Sequence, residues 1–419
     1  MPTTSTKLHE AFPSIPTGDV AGAGILGELP RDIGLHAMRV YRSVMLWAGH
    51  SPEERTSSIF VGEEVELLAR EIAARLDVFG EAISHPLILI ACELAQVEPD
   101  VPRMAKACLA VADWALARRA FTTAMAFAET AAIVHANARY TLVAGRLHRH
   151  HGSQQRAEQW LRRASILATR VGDWPTKVKA VLSLGSACLA TGRYGAAGDY
   201  YRKALKFAIR HRLREQIGEA WHDLFMLATH TKNHKAADAA SREAVRYYGP
   251  RHHRLPAFAH DLAVFWMEQG DFENARTVLL ALLEKHWTDD PALRLLACGT
   301  TLHALGGCSR VEEFDRVYGE FGGLVDKAGE TSWLAPAFVS AARGALNLRR
   351  WWVAESLLSS AIGEAKRTGQ HTTLLEAEQM LAHVRARRTA PQARSNPLRG
   401  YDDLARTTAA ALGGGKAHR

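Results

Sequence analysis

The stretch LGSACLATGRYGAAGDYYRKAL, Leu184 to Leu205, decides the fold. Its small residues (Gly185, Gly192, Ala197) and its large ones (Leu184, Tyr201, Leu205) recur at helical rather than strand spacing. The Gly192-Arg193-Tyr194 step divides it into a helix A and a helix B folded back antiparallel. Gly185 and Ala197 fall where the two helices cross; there only a small side chain lets the backbones approach, and Tyr201 and Leu184 fill the space beside them. Gly192 closes helix A, and Tyr194 is expected to begin the apolar face of helix B.

The pattern recurs. Upstream, Gly145, His148, Gly152, Ala157, Leu161 and Ala164 take the corresponding places; downstream, Trp221, Leu224, Ala228, Ala237 and Ala244 do so. A fourth unit follows with Ala259, Leu262, Trp266, Gly270, Phe272, Ala275, Leu279 and Leu282. Reference positions Ala144, Leu184, Leu224 and Leu262 lie 40, 40 and 38 residues apart.

This spacing resembles the tetratricopeptide repeat, in a version longer than the commonest 34-residue period. The additional residues fall between repeats, in RVGDWP, RHRLREQ and YYGPRHHRLPA. Similar extended repeats occur in scaffolds and bacterial peptide-sensing regulators. The resemblance implies an all-α, right-handed α-solenoid of tetratricopeptide-like hairpins, strong from Arg139 to His286 and degenerate on either side.

Four segments are expected along the chain. Residues 1–27, polar and rich in Pro, Thr and Gly, read as a disordered N-terminal segment. Residues 28–100 carry amphipathic helices that cap the array, among them PRDIGLHAMRVYRSVMLWA and GEEVELLAREIAARLDVFG, with Ser51 as a candidate helix cap between them. Residues 101–388 form the solenoid. It includes a hairpin of poor consensus between Pro291 and Gly329 and a capping helix over Thr372–Arg388. Residues 389–419 read as a mostly disordered tail in which YDDLARTTAAAL can form a short helix.

Composition sets the class. With 47% hydrophobic and 23% charged residues the chain reads as an ordinary folded protein. The longest apolar run, around Ile88, is too short for a bilayer and is broken by Glu93, so the expected place is the cytoplasm, without a membrane. The five cysteines (Cys92, Cys108, Cys188, Cys298, Cys308) form no C-x-x-C pair and read as core fillers in a reducing compartment. The formal charge of +8 is concentrated: between Arg139 and Arg214 stand sixteen Lys/Arg against three acids.

Two His-Asp-Leu triplets, at His222-Asp223 and His260-Asp261, invite an enzymatic reading as a metal-dependent phosphohydrolase. The repeat register makes them equivalent positions of neighbouring helices A. Consecutive helical residues point about 100° apart, so neither pair forms a hydrogen-bonded dyad within itself. His222 and His260 are left as residues able to share a ligand across adjacent helices.

No phosphate-loop, nucleophile-elbow or dinucleotide fingerprint stands in a strand–helix context, so no catalytic residue and no cofactor is assigned. The histidine clusters His148/His150/His151, His230/His234 and His252/His253 lack companion cysteines or an H-E-x-x-H pattern, so no metal is assigned either. His148 occupies a position that is usually aromatic and reads as core.

In tetratricopeptide proteins helix A lines the concave groove. Carried over by register, that implies a partner-binding face of Arg139, Arg146, Arg149, His150, Lys179, Ser183, Ser186, Glu219, His222, Asp223, Met226, His230, His260, Asp261 and Val264. Its basic end, Arg139, Arg146 and Lys179, suits an acidic peptide, a chain-terminal carboxylate or a phosphate, since Arg grips carboxylate and phosphate bidentately.

Helix B carries a second basic feature, Arg202, Lys206 and Arg210 at four-residue spacing with Arg162 and Arg163 on the preceding one. Such a stripe can touch a nucleic-acid backbone, although the sequence sets no aromatic stacking platform beside it. The expected function is therefore a protein-interaction scaffold that takes a peptide or protein segment in its groove. The alternative is a sensor acting on transcription through a small ligand, a peptide or the basic face.

Overall fold

The structure, a computed structural model, describes residues 22–50, 62–250, 252–284, 288, 290–329, 331–386 and 400–413. The candidate cap Ser51 lies outside these residues, as do residues 1–21 of the N-terminal segment. Among the described residues every regular element is helical. None of the helices is long and apolar enough to cross a membrane. The chain forms two compact units, Met1–Asp223 and Leu224–Arg419.

The first unit begins with α1 (Ala23–Glu28), α2 (Arg31–Gly49), α3 (Gly62–Ala73), α4 (Leu76–Phe79) and α5 (Glu81–Leu94). The helix expected over GEEVELLAREIAARLDVFG is broken: it ends near Ala73, resumes at Leu76, and stops at Gly80, whose φ is +81°. Hairpins follow: α6 (Val101–Ala117) with α7 (Phe121–Val134), α8 (Ala138–His151) with α9 (Gln154–Val171), and α10 (Trp174–Ala190) with α11 (Tyr194–Arg210). The division between units falls inside α12 (Arg214–His230).

The second unit holds α13 (His234–Tyr247), then the pairs α14 (Leu255–Glu268) with α15 (Phe272–Glu284) and α16 (Pro291–Gly307) with α17 (Val311–Ala328). The pair α18 (Leu334–Asn347) with α19 (Trp351–Thr368), α20 (His371–Arg385) and α21 (Asp402–Gly413) complete it.

One turn geometry makes these hairpins except α8–α9, which turns at Gly152 with φ −131°. After helix A a single residue adopts the left-handed conformation: Arg119, Gly192, Lys232, Gly270, Ser309 and Arg349, with φ between +55° and +78°. The next backbone N–H then reaches back to a carbonyl near the helix end, Arg193 to Cys188 at 2.9 Å, Asn233 to Ala228 at 2.8 Å and Arg310 to Leu305 at 3.0 Å. Carbonyls that a helix terminus would leave bare are thus satisfied. From Gly192 these residues recur at 40, 38, 39 and 40 residues, through the hairpin of poor consensus as well. The hairpins are tetratricopeptide-like in period, turn and crossing.

At the crossing, size decides. A Cβ on Gly185 would lie 2.4 Å from the Tyr201 ring, and one on Gly145 2.8 Å from Leu161. Ala197 and Tyr201 are buried as the spacing requires. Tyr194 is not: at the turn, where α10 has already ended, it is 44% exposed. The weak-consensus hairpin solves the same problem differently. A Cβ on Gly306 would come 2.2 Å from the Gly344 carbonyl oxygen, and one on Gly344 2.1 Å from that of Leu302, so α16 and α18 meet backbone to backbone.

Successive hairpins are also clipped one repeat apart. In the first unit Arg139 pairs with Asp173 at 3.2 Å and Arg193 with Glu158; in the second, Arg276 pairs with Glu313 and Arg310 with Glu273, both at 3.0 Å. The exposed side of such pairs limits what they contribute, about 1 kcal/mol for a solvent-exposed pair, although Arg276–Glu313 is half-buried on both sides.

The tail folds back where sequence suggests mainly disorder. Tyr401, 3% exposed, packs its ring 5.6 Å from that of Trp266, Arg242 donates to the Gly400 carbonyl at 3.0 Å, and Asn274 donates to Asp402 at 3.0 Å. Leu404, Ala405 and Leu412 of α21 are buried. The rest of the expected tail, residues 389–399 and 414–419, lies outside the described residues.

Of the cysteines, Cys108, Cys188 and Cys298 are core residues as expected, whereas Cys92 is exposed and Cys308 half-buried.

Gly185→Ala should lower the unfolding free energy by about 2 kcal/mol, because Tyr201 must leave its site. Gly363→Ala, on an exposed turn of α19 with nothing within 4 Å, should instead raise it by up to about 1 kcal/mol. Urea denaturation followed by circular dichroism measures both.

Candidate functional site

The basic face of the first unit is built on two neighbouring helices A, α8 and α10. Asn137 caps α8 by accepting from the Arg139 amide at 2.9 Å, and Asp173 caps α10 by accepting from that of Thr176 at 3.2 Å. The same Asp173 carboxylate accepts from Arg139 Nε, which ties the two helix starts together. These bonds, and the Thr176 hydroxyl, hold the Asp173 carboxyl below its usual range although burial opposes them.

Two turns on, Arg146 Nε donates to Ser183 Oγ on α10 at 3.3 Å, while the Ser183 hydroxyl donates to the Lys179 carbonyl at 2.8 Å. Lys179 is half-buried, and among the described residues no carboxylate pairs with it. His150 lies against Arg149, its Nε2 2.5 Å from the guanidinium. Loss of solvation, with Arg149, His151 and Arg146 nearby, pushes its pKa down to about 4. It is therefore neutral at pH 7, accepts through Nε2 and carries its proton on Nδ1.

Arg139, Arg146, His150 and Lys179 are thus brought to one pair of helices. Ser186 is not part of that face in the same sense: its hydroxyl donates to the Leu182 carbonyl at 3.1 Å and faces Tyr201 OH at 3.4 Å, inside its own hairpin.

The expected continuation on α12 is corrected by burial. Glu219, His222 and Asp223 are only 2%, 2% and 8% exposed, and none is without a partner. Residues three and four apart share one stripe, and this stripe is exposed only at its end, at His230. His222 and Asp223 are therefore core residues rather than a lining open to a partner.

In the second unit His260 is half-buried and reaches the next helix A. Its Nε2 lies 3.0 Å from Thr300 Oγ1, and that hydroxyl also lies 2.9 Å from the Leu296 carbonyl. A hydroxyl has one proton to give. Spent on Leu296, it leaves Thr300 accepting from His260 Nε2–H. Asp261 Oδ1 stands 3.8 Å from His260 Nδ1, outside hydrogen-bond range, as the helical geometry of adjacent residues requires.

Members of the histidine clusters engage aromatic rings, and His252 also stacks on His253 with centroids 4.8 Å apart. His151 stacks on Phe121 with centroids 3.9 Å apart, and His252 stacks on Tyr248 at 4.1 Å. His148 is buried, its Nε2 2.7 Å from Glu129 Oε1. Glu129, 7% exposed, also accepts from Trp160 Nε1 at 2.6 Å and from Arg156 Nη2 at 2.8 Å. Burial alone would raise its pKa, yet His148 and Arg156 together bring it down to about 2. Nothing in the helical period of α7 singles out Glu129, because its three partners come from the next hairpin.

No family model matches the chain, and no curated protein matches it. Solved structures similar to it include a Rap protein complexed with competence and sporulation factor, at 11% identity and TM-score 0.35 over 85% of this chain and 98% of that one. Aspartyl phosphate phosphatase F from Bacillus subtilis is similar at 12% identity and TM-score 0.36, over 93% and 99%. The TPR2AB domain of yeast Sti1, in a complex with pHSP90, is similar at 16% identity and TM-score 0.26, over 67% and 98%.

The Glu129 network sets a pH window. A carboxyl whose folded pKa is depressed stabilises the fold fully above its unfolded value near 4.5, and that contribution fades as pH falls from there toward 2. Glu129→Gln should destabilise the protein by about 3 kcal/mol at pH 7. The difference from the parent chain should shrink between pH 4.5 and 2, as read by urea titrations at each pH.

Proposed function

We propose that the chain is a protein-interaction scaffold that takes an acidic peptide or protein segment along the A-helix face of its first unit. The observation that carries this reading is the row of Arg139, Arg146 and Lys179 on adjacent helices, bridged by Ser183 and accompanied by a neutral His150.

The chemistry is complementary at each point. Arg139 is held by a single exposed pair to Asp173, its side chain 75% exposed, so an incoming carboxylate can compete for it at small cost. Arg146, which donates from Nε to Ser183, presents a guanidinium of the kind that pairs with carboxylates. Lys179 adds a positive charge with no internal carboxylate to leave. His150 supplies a hydrogen-bond donor at Nδ1 without charge. An extended acidic segment crossing α8 and α10 would meet these groups in sequence, and its own backbone would need only the polar Ser183 between them.

Isothermal titration with a panel of acidic, neutral and basic peptides tests the reading. Acidic peptides should bind, weakening about tenfold or more in the Arg146→Glu/Lys179→Glu double variant and falling with salt. Unchanged binding by that variant removes the reading.

A further inference from the structure

The opposite side of the α10–α11 hairpin carries a surface that the peptide reading does not use. Arg202, Lys203, Lys206 and Arg210 of α11 line an open depression of about 420 Å³ together with Phe207 and Asp199. Asp199 is taken by Arg202, whose Nη2 donates to it at 2.8 Å. Among the described residues no carboxylate pairs with Lys203, Lys206 or Arg210. Residues four apart on a helix are separated by about 6 Å along its axis, so Arg202, Lys206 and Arg210 form an evenly spaced cationic row. Arg163, expected to extend the row on α9, is buried instead and is not part of it.

An aromatic group adjoins the row, made of Phe207 of α11, its C-cap residue His211 and Trp174 at the start of α10. Trp174 stacks on His211 with centroids 4.6 Å apart and 27° between planes, and Phe207 lies 4.5 Å from His211 and 5.6 Å from Trp174. All three rings are half-buried rather than sealed in the core. Lys177 Nζ stands 4.4 Å from the Phe207 centroid, and nearby Lys203, together with loss of solvation, lowers its pKa.

We propose that this surface binds single-stranded nucleic acid, with backbone phosphates on Arg202, Lys203, Lys206 and Arg210 and a base against the edge of the Trp174–His211–Phe207 group. Cations in a row beside aromatic rings are what an unpaired strand requires, since the row tracks its backbone and the rings take bases that have left a stack. Duplex recognition would need an element entering a groove, and the depression offers only the flank of one helix. An acidic peptide would use the cations and leave the aromatic group idle. This inference is independent of the peptide reading, because it uses none of the residues of the α8–α10 face.

Fluorescence anisotropy of the full chain with a labelled 20-nucleotide single strand, and with its duplex, between 50 and 200 mM salt tests the proposal. The single strand should bind more tightly than the duplex, and log K should fall with log salt by about 0.7 per phosphate contacted. The Lys203→Glu/Lys206→Glu/Arg210→Glu variant, its fold checked by circular dichroism, should lose about tenfold or more in affinity and flatten that slope, while Arg146→Glu/Lys179→Glu should not. Binding should also quench tryptophan fluorescence, less so in Trp174→Phe. Full binding by the triple variant, equal affinity for duplex, or complete displacement of the strand by an equal concentration of polyglutamate would overturn the proposal; the last two would point to general polyanion attraction or an acidic protein partner.

Discussion

The close approach of paired helices is the constraint on which each unit rests. At Gly185 there is no room for a single methyl group beside Tyr201, and at Gly306 and Gly344 none beside the facing backbone. A packed interior has the density of an organic crystal, so one added carbon at such a point displaces a whole side chain. In the hairpins other than α8–α9 a left-handed turn residue then fixes how soon the second helix begins. Crossing and turn together set the period, and the period sets which faces of α8 and α10 come side by side.

Polar chemistry is distributed around that frame in two ways. Exposed Arg–carboxylate pairs link neighbouring hairpins and contribute little each, whereas Glu129 is buried and held by three donors from the next hairpin. Both kinds hold a carboxyl below its usual range, Glu129 down to about 2, and so make the fold sensitive to acid. Removing one partner from a buried group leaves a desolvated charge, while removing an exposed one leaves a hydrated side chain.

The two basic surfaces of the first unit differ in the same terms. On the A-helix face Arg139 is engaged with Asp173 and Arg146 with Ser183, so a ligand must exchange contacts at those two, whereas Lys179 has no carboxylate to leave. On α11 one acid, Asp199, is paired with Arg202, while Lys203, Lys206 and Arg210 have no carboxylate among the described residues and adjoin an aromatic group completed by Trp174 of α10. Trp174 precedes Phe207 by 33 residues and joins it only because α10 and α11 run antiparallel. A helical wheel of α11 alone shows the charged stripe with Phe207 beside it; Trp174 is added only by the neighbouring helix.

The sequence by itself determined the helical hairpins, their 38- to 40-residue period and the small residues at each crossing, because these follow from local periodicity and size. It also marked Arg139, Arg146 and Lys179 as companions, since equal register puts residues on equivalent faces. Tertiary structure alone decided which stripes meet solvent. His222 and Asp223 share the register of His260 and Asp261, yet the first pair is buried and the second is not. The docking of α21 onto Trp266, the backbone contact of α16 with α18 and the partners of Glu129 were likewise settled only in three dimensions. Periodicity specifies the direction in which a side chain leaves its helix; what it meets there depends on segments far away in the chain.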